Sequence, residues 1–169
     1  MKKNLPPKNI IGLGLITTFL FFLSIIIHTL GHVLIMIHEG YTFDENNKII
    51  LMLLGSKTGL VSNNDMTMAS LRSAIIGPLV NLSLSSLFSN LSKIFEEKSI
   101  ANIILDQVGI LNFFVGLINL IPVGNFDGKL ILKSTIFYFS KDKDYTIELI
   151  NVLRRFLIIF SIIIGFFLI

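Results

Sequence analysis

Apolar residues in this chain are gathered into long runs separated by short polar clusters. No residue between Lys8 and Glu39 carries a formal charge if His28, His32 and His38 are neutral, and residues 73–92 and 107–126 are likewise free of charge. A hydrocarbon core of about 30 Å is crossed by about 20 mostly apolar helical residues. The pattern therefore predicts membrane helices over about 10–38, 68–95 and 100–121. A fourth is expected over about 145–169. Its charge-free part, residues 156–169, would be only about 21 Å long, so Arg154 and Arg155 would have to snorkel towards the headgroups. The first helix enters behind Pro6 and Pro7 and stops near Gly40, as helices favour proline at the start and glycine past the end.

Between the first and second spans the pattern changes. Asp44, Glu45, Asn46 and Asn47 form a turn-like cluster, residues 48–54 are β-prone, and residues 55–59 turn again. This predicts one or two short strands at the membrane surface. Open sheet edges cannot face lipid, so such strands must be covered by helices or line a polar cavity. Further on, Pro122 ends the third span, residues 123–128 are irregular, and residues 129–139 read as helical. The expected fold is an all-α membrane protein of about four transmembrane helices with a short strand-rich surface segment. With no internal repeat or linker, residues 1–169 read as one domain.

Composition sharpens this picture. Of 169 residues, 53% are hydrophobic and 15% charged, against roughly 25% charged in ordinary soluble domains, which excludes a water-soluble globule. The absence of cysteine removes disulfides, thiolate metal ligands and thiol redox chemistry. A net charge of +3 is spread thinly among the loops and forms no continuous basic stripe, so membrane lipid, and not nucleic acid, is the expected partner. The first apolar run outlasts the 7 to 15 residues or so of a signal core and no small-x-small site follows it, so it reads as a retained helix. The Lys and Arg distribution places the loops after the first and third spans in the cytoplasm.

Within the first span, His28 and His32 lie four residues apart and so share one helical face. One helix can offer a zinc ion two nitrogen ligands in this way, and a catalytic zinc site commonly adds one carboxylate and leaves a fourth position for water. A lone histidine is more often just hydrogen-bonded to a neighbouring helix, but ionisable groups at membrane depth are rare and usually functional. Asp127 is the best candidate carboxylate. It follows Pro122 and precedes Gly128, a setting that could bring it back towards the histidines or use it as a helix cap. His38 and Glu39 are adjacent, point in different directions, and read as an interfacial helix end.

Three motifs in this order resemble the site-2 protease family of intramembrane zinc metalloproteases: the histidine pair, Gly77-Pro78-x-x-Asn81, and Asn119-x-x-Pro122-x-x-x-x-Asp127-Gly128. The resemblance covers about residues 25–130. It implies that His28, His32 and Asp127 are zinc ligands, that Asn81 and Asn119 are polar groups near the active site or substrate, and that Gly77, Pro78, Pro122 and Gly128 support the site. It also implies a multi-pass protein, with the bacterial cytoplasmic membrane the expected location, acting on transmembrane or membrane-associated peptides. One departure matters most. The family has glutamate directly after the first histidine as general base, where this chain has Thr29. A positioned acid-base group is worth roughly 10²- to 10⁴-fold in rate, so activity is expected to be weak or lost while the metal is kept. Glu39 lies about 15 Å farther along the helix and cannot replace the base; Glu45 and Asp65 fall in loops. The alternatives are a relative that binds a membrane peptide or partner without cleaving it and, ranked lowest, a small metal-binding or transport protein.

Overall fold

The computed structural model describes residues 7–40, 49–52, 55–58 and 66–167. In chain order these form α1 (Pro7–His38), β1 (Ile49–Met52), β2 (Gly55–Thr58), α2 (Met68–Ser92), α3 (Ile100–Asn119), α4 (Asp127–Ser140) and α5 (Lys143–Phe167). The strands pair antiparallel with Ile49 opposite Thr58 and Met52 opposite Gly55, and the hairpin lies beside α1. Glu45 and Asp65 lie outside the described residues.

Among the described residues, three helical segments are long and apolar enough to cross a membrane: Ile11–His38, Met68–Ser92 and Ile100–Asn119. The expected fourth span falls on α5. That helix carries Lys143, Asp144, Glu148, Arg154 and Arg155 and is not among these three.

The helices are built with small and polar residues inside and large apolar ones outside. Along α2 the buried face runs through Ser70, Ala74, Gly77, Asn81 and Ser85, and along α3 through Val108, Asn112, Gly116 and Asn119. Phe19, Phe22, Leu34, Leu79, Leu87, Phe113 and Phe114 face outwards. Hydrocarbon gives large apolar residues no reason to hide, whereas small residues let helix backbones approach and polar ones bond across the interface. Accordingly α2 packs against α1, α3 and α4, while α5 lies against α4.

Helix ends follow local chemistry. Thr67 caps α2 and Ser99 caps α3 by accepting from the amides of Ser70 and Asn102. Gly40, at φ +86°, takes the left-handed conformation that closes α1. Two helices end earlier than expected, α2 at Ser92 instead of residue 95 and α3 at Asn119 instead of residue 121. In both cases the final amides bond three residues back, Ile94 to Leu91 and Leu120 to Leu117, so the last turn tightens. After α3 the chain makes a short bend and α4 starts at Asp127, two residues before the expected helical stretch.

Candidate metal centre

One helical turn of α1 projects His28 and His32 towards α2, and both are buried. Their ring centroids are 4.8 Å apart and nearly perpendicular. The floor beneath them is Gly77: a Cβ there would collide with the Nε2 and Cε1 atoms of His32 and lie 2.8 Å from Cε1 of His28. The Gly-Pro pair thus does more than interrupt α2. Glycine makes the room the imidazoles occupy, and Pro78, which has no amide hydrogen, leaves the carbonyl of Ala74 without its helical donor.

The outer nitrogen of each ring is already engaged. His32 Nδ1 lies 2.7 Å from the main-chain oxygen of Ser73. His28 Nδ1 meets the side-chain oxygen of Asn81. Both partners are acceptors, so both Nδ1 atoms donate, and each neutral ring keeps a lone pair on Nε2. Those two Nε2 atoms face each other at 3.1 Å.

The third member arrives from the chain that follows α3. Gly128 passes so close to α3 that a Cβ on it would overlap the Leu120 carbonyl and lie 2.7 Å from the oxygen of Ile121. This close crossing seats Asp127 at the first turn of α4, with Oδ2 3.3 Å from His28 Nε2 and Oδ1 3.4 Å from His32 Nε2. The cap of α4 is Phe126, which makes no side-chain capping bond, so Asp127 is not used as the cap; at the helix N-terminus its negative charge is nonetheless favoured. Asp127 Oδ2 is buried without a hydrogen-bond partner.

Two lone pairs and a carboxylate therefore converge on one buried point. Among the described residues these three alone form a group able to hold a metal. A tetrahedral zinc with bonds of about 2.0–2.1 Å would separate its ligand atoms by about 3.3 Å; the two nitrogens lie 3.1 Å apart and approach different carboxylate oxygens, that of His28 meeting Oδ2 at 3.3 Å and that of His32 meeting Oδ1 at 3.4 Å. The residues fit such an ion, and a cation would relieve both the facing lone pairs and the unpartnered Oδ2.

The remaining expected residues are distributed unequally around this point. Asn81 touches His28, and Gly77 and Gly128 shape the approach. Asn119 is buried at the end of α3, yet among the described residues no hydrogen bond joins it to the three. Pro122 lies in the bend between α3 and α4. Thr29 is buried with its hydroxyl donating to the Ile25 carbonyl of its own helix at 2.9 Å. Glu39 is paired with Arg72, away from the histidines. Sequence reasoning missed Asn112, whose side-chain oxygen accepts from Asn81 at 2.8 Å; it was detectable by the signal that exposed Asn81, a polar residue within an apolar span.

No family model matches the chain. Over 135 residues it is 31% identical to a Synechocystis protein named "Putative zinc metalloprotease sll0528", in an alignment covering 78% of this chain and 34% of that protein. The chain thus spans about a third of the length of this curated relative. Among solved structures it is similar to the Site-2 Protease from Methanocaldococcus jannaschii, with a TM-score of 0.67, 23% identity, and coverage of 90% of this chain and 68% of that one. The resemblance that the three motifs carry is matched by the backbone, and the chain has the site-2 protease fold.

Proposed function

We propose that this chain is a membrane-embedded member of the site-2 protease family that holds zinc through His28 Nε2, His32 Nε2 and Asp127 and receives transmembrane or membrane-associated peptides, with hydrolysis weakened or lost at Thr29. The observation that supports the metal assignment is the convergence of two imidazole nitrogens, 3.1 Å apart, on the two oxygens of a buried carboxylate at 3.3 and 3.4 Å, one of them without a hydrogen-bond partner. Zinc bound there would polarise a peptide carbonyl and lower the pKa of a bound water. The chain's own contribution is to aim the three ligands, exclude bulk water by burial, and present a groove between helices to a substrate. In this reading α5 forms the fourth span, with its charged residues near the headgroups.

One observation favours the second reading, a relative that binds a membrane peptide without cutting it. The Thr29 hydroxyl donates to Ile25 O, and a threonine hydroxyl has no basicity near neutral pH. Among the described residues, Asp127 is the only carboxylate grouped with the histidines, and a metal ligand is not free to act as base.

One comparison tests both readings. Purified parent should carry about one zinc per chain, lost in His28→Ala; metal-free parent under non-chelating conditions would refute the centre. Thr29→Glu should raise cleavage of a transmembrane reporter by roughly 10²- to 10⁴-fold. Cleavage confined to that variant identifies the natural chain as a binding relative, and equal cleavage by the parent means that another group supplies the base.

A further inference from the structure

Asn81 can serve His28 only with its oxygen towards the ring, and nothing within Asn81 itself enforces that choice. The amide could rotate half a turn, present its NH₂ to His28 Nδ1, and so drive the proton onto Nε2, where it would occupy the lone pair aimed at Asp127. The orientation is set farther away, on α3. Asn112 Nδ2 donates both its hydrogens, one to the main-chain carbonyl of Val108 at 2.8 Å and one to Ser24 Oγ at 3.1 Å. Ser24 gives its own proton to the Leu20 carbonyl at 3.0 Å and accepts from Asn112. A flipped Asn112 would set its oxygen against the Val108 carbonyl, which can only accept. Its Oδ1 must therefore face Asn81, whose Nδ2 must donate to it, and Asn81 Oδ1 is left for His28.

Each step is forced, and burial removes the alternative of water: Asn81 and Asn112 are wholly inaccessible and Ser24 is 1% exposed. We propose that Asn112 is a positioning residue that fixes His28 in the Nδ1–H tautomer, using the Val108 carbonyl and Ser24 as its reference, and so keeps Nε2 open as a ligand. The chain of bonds begins at a main-chain oxygen of α3, passes through α2 and ends on α1. Its functional consequence rests on the zinc reading above, whereas its effect on the ring tautomer stands apart from it. Outer partners of metal-binding histidines commonly fix tautomer and orientation in this manner.

The test uses the full-length chain in detergent micelles. In zinc-stripped, ¹⁵N-labelled parent, long-range proton–nitrogen correlation should show His28 protonated at Nδ1 and bare at Nε2. In Asn112→Leu the His28 ring should become a mixture of tautomers while His32 stays unchanged, and zinc affinity by chelator competition should fall roughly 10- to 100-fold. In an Asn81→Ala background, Asn112→Leu should cost nothing further, since its effect travels through Asn81. A merely structural role for Asn112 would lower the melting temperature without moving the His28 tautomer. The proposal is overturned if parent His28 carries its proton on Nε2, if Asn112→Leu leaves the tautomer unchanged, or if the two substitutions lower affinity additively. The parent measurement needs no variant, so misfolding of Asn112→Leu leaves it decisive. A parent that binds no zinc but shows the Nδ1–H tautomer refutes the metal centre and upholds the relay.

Discussion

His28 and His32 sit one turn apart on the same helix and aim the same atom at the same point, yet they are held by different kinds of partner. His32 leans on the carbonyl of Ser73, a main-chain atom that every residue possesses and that stays in place as long as α2 is folded. His28 leans on the Asn81 amide, which takes its own direction from Asn112. The first arrangement is as durable as the helix. The second has a selectable direction and can be lost through a single side chain. The histidine helix therefore presents one robust nitrogen and one conditional nitrogen.

The largest expected effect comes from removing the difference altogether. Gly77→Ala drives a methyl into the metal-facing edge of both rings, so zinc stoichiometry should fall from about one to near zero, and overpacking should lower stability by about 1–3 kcal/mol in thermal unfolding. An unchanged zinc content would mean that the rings are not seated on α2 as described. A one-sided change should be smaller. Asn81→Ala releases His28 alone, and chelator competition should record a loss of roughly 10- to 100-fold in zinc affinity, with the His32 ring signals unmoved. The smallest effect is expected on the robust side. Ser73→Ala deletes a hydroxyl that donates to the His32 carbonyl, costing about 1 kcal/mol of stability, but it spares the carbonyl that orients the ring, so zinc affinity should escape the roughly 10- to 100-fold loss that follows removal of an outer partner. Equal losses of affinity in Asn81→Ala and Ser73→Ala would erase the asymmetry.

The same contrast explains what the sequence made legible. Side chains that interrupt apolar runs can be seen in a string of letters, so His28, His32 and Asn81 stood out, while Gly128 beside Asp127 left open both a return to the histidines and a helix cap. The apolar runs also located the cores of α1, α2 and α3. The anchor of His32 left no such mark, because a carbonyl is common to all residues and only the packing of α1 on α2 selects Ser73. Asn112 did carry a visible signal, but its value lies in the direction of its bonds to Val108, Ser24 and Asn81, which depends on three helices meeting. The two tightened helix ends were illegible for a related reason: whether the final amides bond three or four residues back is decided by the path of the following chain. On α5, apolarity and charge compete within one helix, and periodicity alone does not say which prevails.

The crossing at Gly128 has a consequence for tolerance to change. Because that backbone rests on the carbonyls of Leu120 and Ile121, the carboxylate beside it is surveyed from the end of α3, as a bracket is surveyed from the beam to which it is bolted. The intervening bend, which includes the left-handed Gly124, is closed by main-chain bonds from Val123 to Ile121 and from Phe126 to Val123. A side chain added at Gly128 would dislodge Asp127 at once.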